Sequence, residues 1–207
     1  MRGISTHLYT TEGATCIKEQ GYDFVFRYYS EKTQRPQKVL RREEAEALSH
    51  ADLKIGVVYQ DYDEPQYINA SYGRVNGLYA FDYARSLNQP PGSAIYFAID
   101  YDPRPPIGRT TVPEYFRAVH QAFMERGNGT AIYEIGVYGS GAVCGWLRAN
   151  LPFVKYSWLG LAPRWWGYED YRDWNIKQFI TNIPLCGLRA GDWEMNEAQD
   201  DFGAFMV

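Results

Sequence analysis

Short runs of β-branched and aromatic residues recur along the chain, each followed by a stretch in which apolar residues return with helical spacing. Arg2 to Thr6 predicts a first strand, Ala14 to Gly21 a helix closed by its glycine, and Asp23 to Tyr29 (DFVFRYY) a second strand. Arg41 to Ala51 sets Glu43, Glu44 and Glu46 early in a helix with alanine and leucine on one face, and Lys54 to Gln60 (KIGVVYQ) follows as a third strand. Ile68 to Leu87 reads as a long helix ended by the Pro90-Pro91-Gly92 turn. Ala94 to Asp100 (AIYFAID) is then apolar enough for a strand buried on both faces. Val112 to Arg126 is helical, with Pro113 in its first turn. Glu134 to Tyr138, Tyr156 to Leu161, Trp174 to Ile180 and Leu188 to Met195 bring the strands to eight, and Ala142 to Asn150 makes a short helix after the first of these.

Strand and helix in alternation are the mark of a parallel-sheet α/β fold, and eight such strands predict a TIM-like (β/α)8 barrel. The chain of 207 residues is small for that fold, so the last helices should be short or missing and residues 1–207 should form one domain. A flavodoxin-like open sheet is the alternative; it needs only five or six strands, and no glycine-rich phosphate loop follows the first strand here.

Composition narrows the function more than the fold. Tyr (18), Trp (6), Phe (10) and Gly (19) are abundant enough to disfavour disorder or a coiled-coil rod. A net charge of −4 gives no global attraction to nucleic acid or anionic lipid, so neither is expected as a partner. No apolar run is long enough to cross a bilayer, and the first residues lack the apolar core of a signal peptide. The expectation is a protein that is cytoplasmic in its producer or leaves by a non-classical route. Cys16, Cys144 and Cys186 lie too far apart for a metal knuckle; buried thiols are expected, with one disulfide plus a free cysteine open outside the cytosol.

In a barrel the chemistry belongs at the carboxyl ends of the strands. There the sequence offers Ser5-Thr6-His7, Tyr28-Tyr29, Gln60-Asp61, Asp100-Tyr101-Asp102, Tyr138-Gly139-Ser140, Trp158, Gln178 and Glu194-Met195-Asn196. Two-residue alternation sets Tyr96, Ala98, Asp100 and Asp102 on one side of a regular strand, so two carboxylates share a face. Close like charges in a partly desolvated pocket split into a protonated acid and an ionised partner, as glycoside hydrolysis requires. The competing explanations are a solvated turn before Pro103, Pro105 and Pro106, or an Asp-rich loop for Mg²⁺ or Ca²⁺.

Glu194 is a third candidate carboxylate, against a plain surface acid beside Glu197, Asp200 and Asp201. Tyr29, Tyr138, Trp158, Trp165 and Trp166 suit the C–H faces of sugar rings, although each taken singly fits a core role too. Gln60, Gln178 and Asn196 suit hydroxyl or acetamido groups. Ser140 lacks the full nucleophile elbow, and His7, His50 and His120 have no ligand spacing, so neither a metal site nor a cofactor is expected.

The order of these blocks resembles the Rv2525c-like, glycoside-hydrolase-like domains (the DUF1906 group), related in fold to the family 25 lysozymes. The resemblance rests on GYDFVFRYYS (Gly21 to Ser30) with Lys32, REEAEAL (Arg42 to Leu48) before KIGVVYQ, and GSAIYFAIDYDP (Gly92 to Pro103). It continues through IGVYGSGAVC (Ile135 to Cys144), Trp158, WNIKQF (Trp174 to Phe179) and EMNEAQDDFG (Glu194 to Gly203).

What it implies is a barrel acting on peptidoglycan, as a lysozyme-like muramidase with Asp102 as general acid, Asp100 as base or electrostatic partner and Glu194 as third carboxylate. Tyr29, Gln60, Tyr138, Trp158, Gln178 and Asn196 would then position sugar. The chain departs from the lysozyme pattern: Asp102 stands where those relatives have Glu, Ser5 where they have Asp, and Glu194-Met195-Asn196 where they have Asp-x-Asn. A non-catalytic glycan-binding domain that keeps the groove is therefore the alternative. An antibacterial effector would fit a wall enzyme exported without a signal peptide, and would imply a secretion or immunity partner.

Overall fold

The structure is a computed structural model, described for residues 1–180 and 183–207. Eight strands close into one barrel in sequence order: β1 (Arg2–Thr6), β2 (Phe24–Tyr29), β3 (Lys54–Tyr59), β4 (Ala94–Ala98), β5 (Glu134–Gly139), β6 (Val154–Leu159), β7 (Ile176–Phe179) and β8 (Trp193–Ala198). Helices α1 (Ala14–Glu19), α2 (Arg42–His50), α3 (Ala70–Ser86), α4 (Thr111–Arg126) and α5 (Gly141–Asn150) fill the first five connections. Among the described residues no helix follows β6 or β7, as the short chain length predicts.

That shortage has a consequence for the last strand. A parallel return needs a long crossover, whereas β7 and β8 are joined without a helix, and β8 pairs antiparallel with both β7 and β1. The strand begins at Trp193 rather than Leu188, which instead bridges Leu185 in the preceding loop. Because β8 runs backwards, its beginning lies at the rim where β1 ends: Thr6 faces Trp193 and Ser5 faces Glu194 in the register.

Alternation along the strands separates two cores. Phe24, Phe26, Tyr96, Tyr156 and Trp158 point inward, while Val25, Tyr29, Val57, Phe97 and Val137 point out to the helices. The interior is nearly solid with rings: Phe26 lies 4.5 Å from Trp158 and 5.3 Å from Tyr96, centroid to centroid. Gly3 and Gly56 make room for them, because a Cβ at either position would fall on the ring of Phe24 or Phe26. The barrel is therefore packed below, and any ligand must bind at its mouth.

Cys16 and Cys186 form a disulfide that ties α1 to the β7–β8 loop, so only Cys144 keeps a free, buried thiol, raised to about 12 by desolvation. A fully buried ion pair joins β2 to α2, with Arg27 Nε 2.8 Å from Glu44 Oε1. Every partner is satisfied: Arg27 also donates to the Thr6 and Gln37 carbonyls, and Glu44 accepts from the Thr10 amide and hydroxyl. Removing one member of such a pair strands the other charge in the interior. Glu44→Ala should cost about 3–5 kcal/mol in urea unfolding, and replacing both residues (Arg27→Met with Glu44→Leu) should cost less than Glu44→Ala alone.

Candidate functional site

The mouth is built from the inward-facing residues at the ends of β2 to β7 and the start of β8. Strand β2 contributes Tyr28, two residues beyond Phe26 on the inner face. Its neighbour Tyr29, expected to contact sugar, points the other way: it is fully buried against the helices, packs on Tyr83 and donates to Gln89 Oε1 at 2.7 Å. Alternation in FVFRYY sets Phe24, Phe26 and Tyr28 on one face and Val25, Arg27 and Tyr29 on the other; both carry aromatic rings, and the one charge does not mark the mouth, because Arg27 points outward to Glu44 of α2.

Asp100 continues the inner face of β4 past Ala98 and reaches the mouth, where Gln60 Nε2 donates to its Oδ2 at 3.0 Å. Asp102 does not join it. Regular strand structure stops at Ala98, and the Asp102 carboxylate is turned aside, accepting from Arg104 Nε and the Trp166 amide, each at 3.1 Å. The shared carboxylate face expected from alternation thus fails, because the strand ends before its second member.

Glu194 takes that place from the opposite side of the barrel. Its Oε2 accepts from the Ser5 hydroxyl at 3.2 Å, and Ser5 in turn accepts from Asn196 Nδ2 at 3.0 Å. Asn196 is not a rim residue: on a reversed strand it lies deeper than Glu194, fully buried, and it orients Ser5 rather than facing a ligand. The serine at the position where the lysozyme pattern has a carboxylate is therefore a direct hydrogen-bond partner of the β8 carboxylate.

Both mouth carboxyls are held above their ordinary ranges. Burial raises Asp100 most, opposed by the Gln60 bond, with Asp63 raising it further and Lys38 lowering it. Burial also raises Glu194 most, opposed by the Ser5 bond, and the negative charge of Asp100 adds to the rise. Tyr28 and Tyr138 are raised as well, chiefly by burial and then by these same two carboxylates, so all four groups share one electrostatic neighbourhood.

Tyr138, Trp158 and Gln178 line a small cavity of about 40 Å³ at the base of the mouth together with Tyr28, Gln60 and Asp100. Gln178 Oε1 accepts from the Tyr138 hydroxyl (3.2 Å) and the Leu161 amide (3.0 Å). Trp158 is only 2% exposed, so it offers no stacking face; what it presents is a buried indole N–H without a partner among the described residues. Trp166, at 44% exposure, is an accessible ring at the rim beside Asp102, and Trp165 is partly covered in the same loop.

Ser140 is the buried N-cap of α5, accepting from the Val143 amide, and is not placed as a nucleophile. His120 stacks on Phe153, and His50 sits on the exposed end of α2. Among the described residues no group of three or more His, Cys, Asp or Glu side chains is placed to hold a metal ion, and no helix is long and apolar enough to cross a membrane.

Sequence reasoning also missed Lys38. It lies in a 3₁₀ turn after β2, with no periodicity to mark it, yet its Nζ donates to the Gln60 side-chain oxygen at 3.1 Å and sits 4.6 Å from the Tyr28 ring centroid. An ammonium, an amide and the Asp100 carboxylate thus stand in one chain of hydrogen bonds.

The family model for the Rv2525c-like, glycoside hydrolase-like domain matches residues 15–202. The chain belongs to that family. Among curated relatives, the uncharacterized protein YbfG of Bacillus subtilis (strain 168) is 29% identical over 190 residues, 86% of this chain but 26% of its own length. The chain thus spans about a quarter of that relative.

The crystal structure of the Mycobacterium tuberculosis Tat-secreted protein Rv2525c in complex with L-tartrate superposes with a TM-score of 0.81 at 19% identity, covering 98% of both chains. A bacterial lysozyme from Streptomyces coelicolor gives 0.57 at 16% identity, covering 97% of this chain and 93% of its own. At those identities the likeness is one of fold.

The raised carboxyls make a prediction independent of any substrate. A carboxyl that holds its proton more tightly when folded favours folding at low pH, and that advantage is lost as pH climbs from the ordinary carboxylate range through the raised folded value. Asp100→Asn keeps an acceptor for Gln60 and removes the ionisation. Its melting temperature should exceed that of the wild type at about pH 7 and converge with it near about pH 4; an unchanged gap across that range would refute a desolvated Asp100.

Proposed function

We propose that the protein is a lysozyme-like glycoside hydrolase that cleaves the glycan strand of peptidoglycan. The observation that carries this reading is the pair of desolvated carboxyls, Asp100 and Glu194, with Asp100 raising Glu194 further, at a mouth lined by Tyr28, Gln60, Tyr138 and Gln178. Family membership and the lysozyme-like barrel support it.

The two carboxyls cannot both ionise cheaply in a shared, partly dry site. Asp100 has the Gln60 amide and the Lys38 charge on its side, whereas Glu194 has a neutral hydroxyl. Asp100 is therefore assigned the ionised role, as base or stabiliser of positive charge developing on the sugar, and Glu194 the role of proton donor to the leaving oxygen. Ser5 and Asn196 hold Glu194 in place. The unpaired Trp158 N–H is a donor that a sugar oxygen would satisfy, since a buried donor left unmade costs about 1–3 kcal/mol. Asp102, bound to Arg104 and the Trp166 amide, is assigned to holding the rim loop.

Mass spectrometry of muropeptides released from purified peptidoglycan tests this. Wild type should produce new reducing ends; Asp100→Asn and Glu194→Gln should each lose about 10²-fold or more in rate, and Asp102→Asn less than about tenfold. Retained sedimentation with peptidoglycan without any product would instead favour the glycan-binding alternative.

The site of action on this reading is the wall outside the producing cell, for which the Cys16–Cys186 disulfide is the supporting feature, since such bonds persist in oxidising compartments. Fractionation of the producer with thiol trapping should recover the protein at the wall with that pair oxidised. Recovery only as reduced protein in the cytosol would overturn the assignment.

A further inference from the structure

A cavity of about 580 Å³ opens from the mouth toward the loop that follows β2. Tyr28, Gln60 and Asp100 bound its inner side, and Arg35, Lys38 and Tyr62 line it further out. Of the three Lys and Arg side chains on this wall, Lys32 is paired with Glu31, whereas among the described residues neither Arg35 nor Lys38 forms an ion pair. Lys38 is half-buried, and its ammonium has three protons to donate. Both partners it has are uncharged, the backbone and side-chain oxygens of Gln60 at 3.1 Å.

The nearby carboxylates are engaged elsewhere or set at the edge. Asp61 accepts from the Ser30 hydroxyl (2.5 Å), the Glu31 amide (2.8 Å), the Lys32 amide (2.9 Å) and the Tyr59 hydroxyl (2.5 Å), which fixes it to the loop and to β3. Asp63 is exposed, and Lys32 is paired with Glu31. Burial pulls Lys38 below the usual lysine range; Asp61 and Asp100 oppose that, while the charge of Arg35 adds to it. His7, on the same wall, is lowered by burial and then, against the pull of Asp192, by Arg35, Arg27 and Lys38, so the positive groups press on one another.

A wall that holds an unpaired guanidinium and a partly dehydrated ammonium next to a sugar-binding mouth is built to receive an anion. We propose that Arg35 and Lys38 form a subsite for a carboxylate carried by the glycan, so that the protein selects an acid-bearing sugar over its neutral counterpart. This rests on the glycan reading above and deepens it. A singly charged carboxylate fits better than a phosphate dianion, because Asp61, Asp63 and Asp100 bring negative charge to the same cavity. Gln60 links Lys38 to Asp100, so the bound carboxylate lies next to the carboxyl assigned the ionised role.

The test uses unreactive monosaccharides, so it does not depend on hydrolysis. N-acetylmuramic acid, N-acetylglucosamine and N-acetylglucosamine 6-phosphate are titrated into the isotopically labelled protein and followed by amide NMR shifts. N-acetylmuramic acid should bind about fivefold or more tightly than N-acetylglucosamine. Arg35→Met should shrink that preference to about twofold or less while leaving N-acetylglucosamine affinity in place, and Lys38→Met should shrink the preference as far. Arg35 is exposed, so its variant stays folded even if Lys38→Met disturbs the turn.

Equal affinities, no binding of N-acetylmuramic acid, a preference that survives both substitutions, or a 6-phosphate that binds as tightly would each overturn the subsite. Selective binding without muropeptide release would sustain the subsite while sinking the hydrolase reading, and release without selectivity would do the reverse.

Discussion

The buried Arg27–Glu44 pair is the interaction on which the geometry of the mouth depends. Arg27 occupies the outward face of β2 one residue before Tyr28, and its three nitrogens reach the end of β1, the turn before Lys38 and the helix α2. Glu44 extends the same network to Thr10, in the loop after β1. One guanidinium thereby fixes the two loops that carry His7 and Lys38 to the cavity wall. A hydrophobic pair of similar volume could fill that space, but it would leave the Thr6 and Gln37 carbonyls without these donors and the loops without a defined position.

Beneath the mouth, the aromatic interior sets a different constraint. Rings from β2, β4 and β6 occupy the centre against Gly3 and Gly56, so the barrel offers no tunnel and the rim has to do all the binding. Missing helices then matter as much as present ones. Without a crossover, β8 runs antiparallel and delivers its first residues to the rim, which sets Glu194 directly opposite Ser5 in the register. A parallel β8 would have put Glu194 at the far end of the barrel.

What the sequence made legible follows from where its signals were strong. The alternation of strand and helix and the eight-strand count are repeated over many residues, and the first seven strands lie within two residues of where the pattern puts them, while the eighth begins five residues later. Asp100 was legible because β4 stays regular up to Ala98 and Asp100 continues its inner face. Asp102 and Tyr29 were misread for two distinct reasons: irregular backbone broke the alternation for the first, and for the second both faces of β2 carry aromatic rings while its one charge, Arg27, turns outward to Glu44 and does not mark the mouth. Asn196 was placed at the rim because the direction of β8 depends on the absence of a helix rather than on any residue within the strand. Lys38 carried no local signal at all, since its role arises from a turn held by Arg27.

These contacts converge on a single electrostatic choice. Two carboxyls reach the mouth from opposite strands, both raised by burial, and Asp100 raises Glu194 further. Had their surroundings been alike, a proton would be shared between them without preference. The surroundings are unlike: β3 and the turn after β2 supply Asp100 with an amide backed by an ammonium, and β1 supplies Glu194 with a hydroxyl. The difference is built into separate parts of the chain, with Ser5 and Asn196 on one side and Gln60 and Lys38 on the other. Because the side that favours negative charge on Asp100 also bears the unpaired cations, the same wall can bias the carboxyl pair and receive an anionic ligand. The bias acts through the Gln60 amide, which leaves the remaining donor capacity of the ammonium for the ligand.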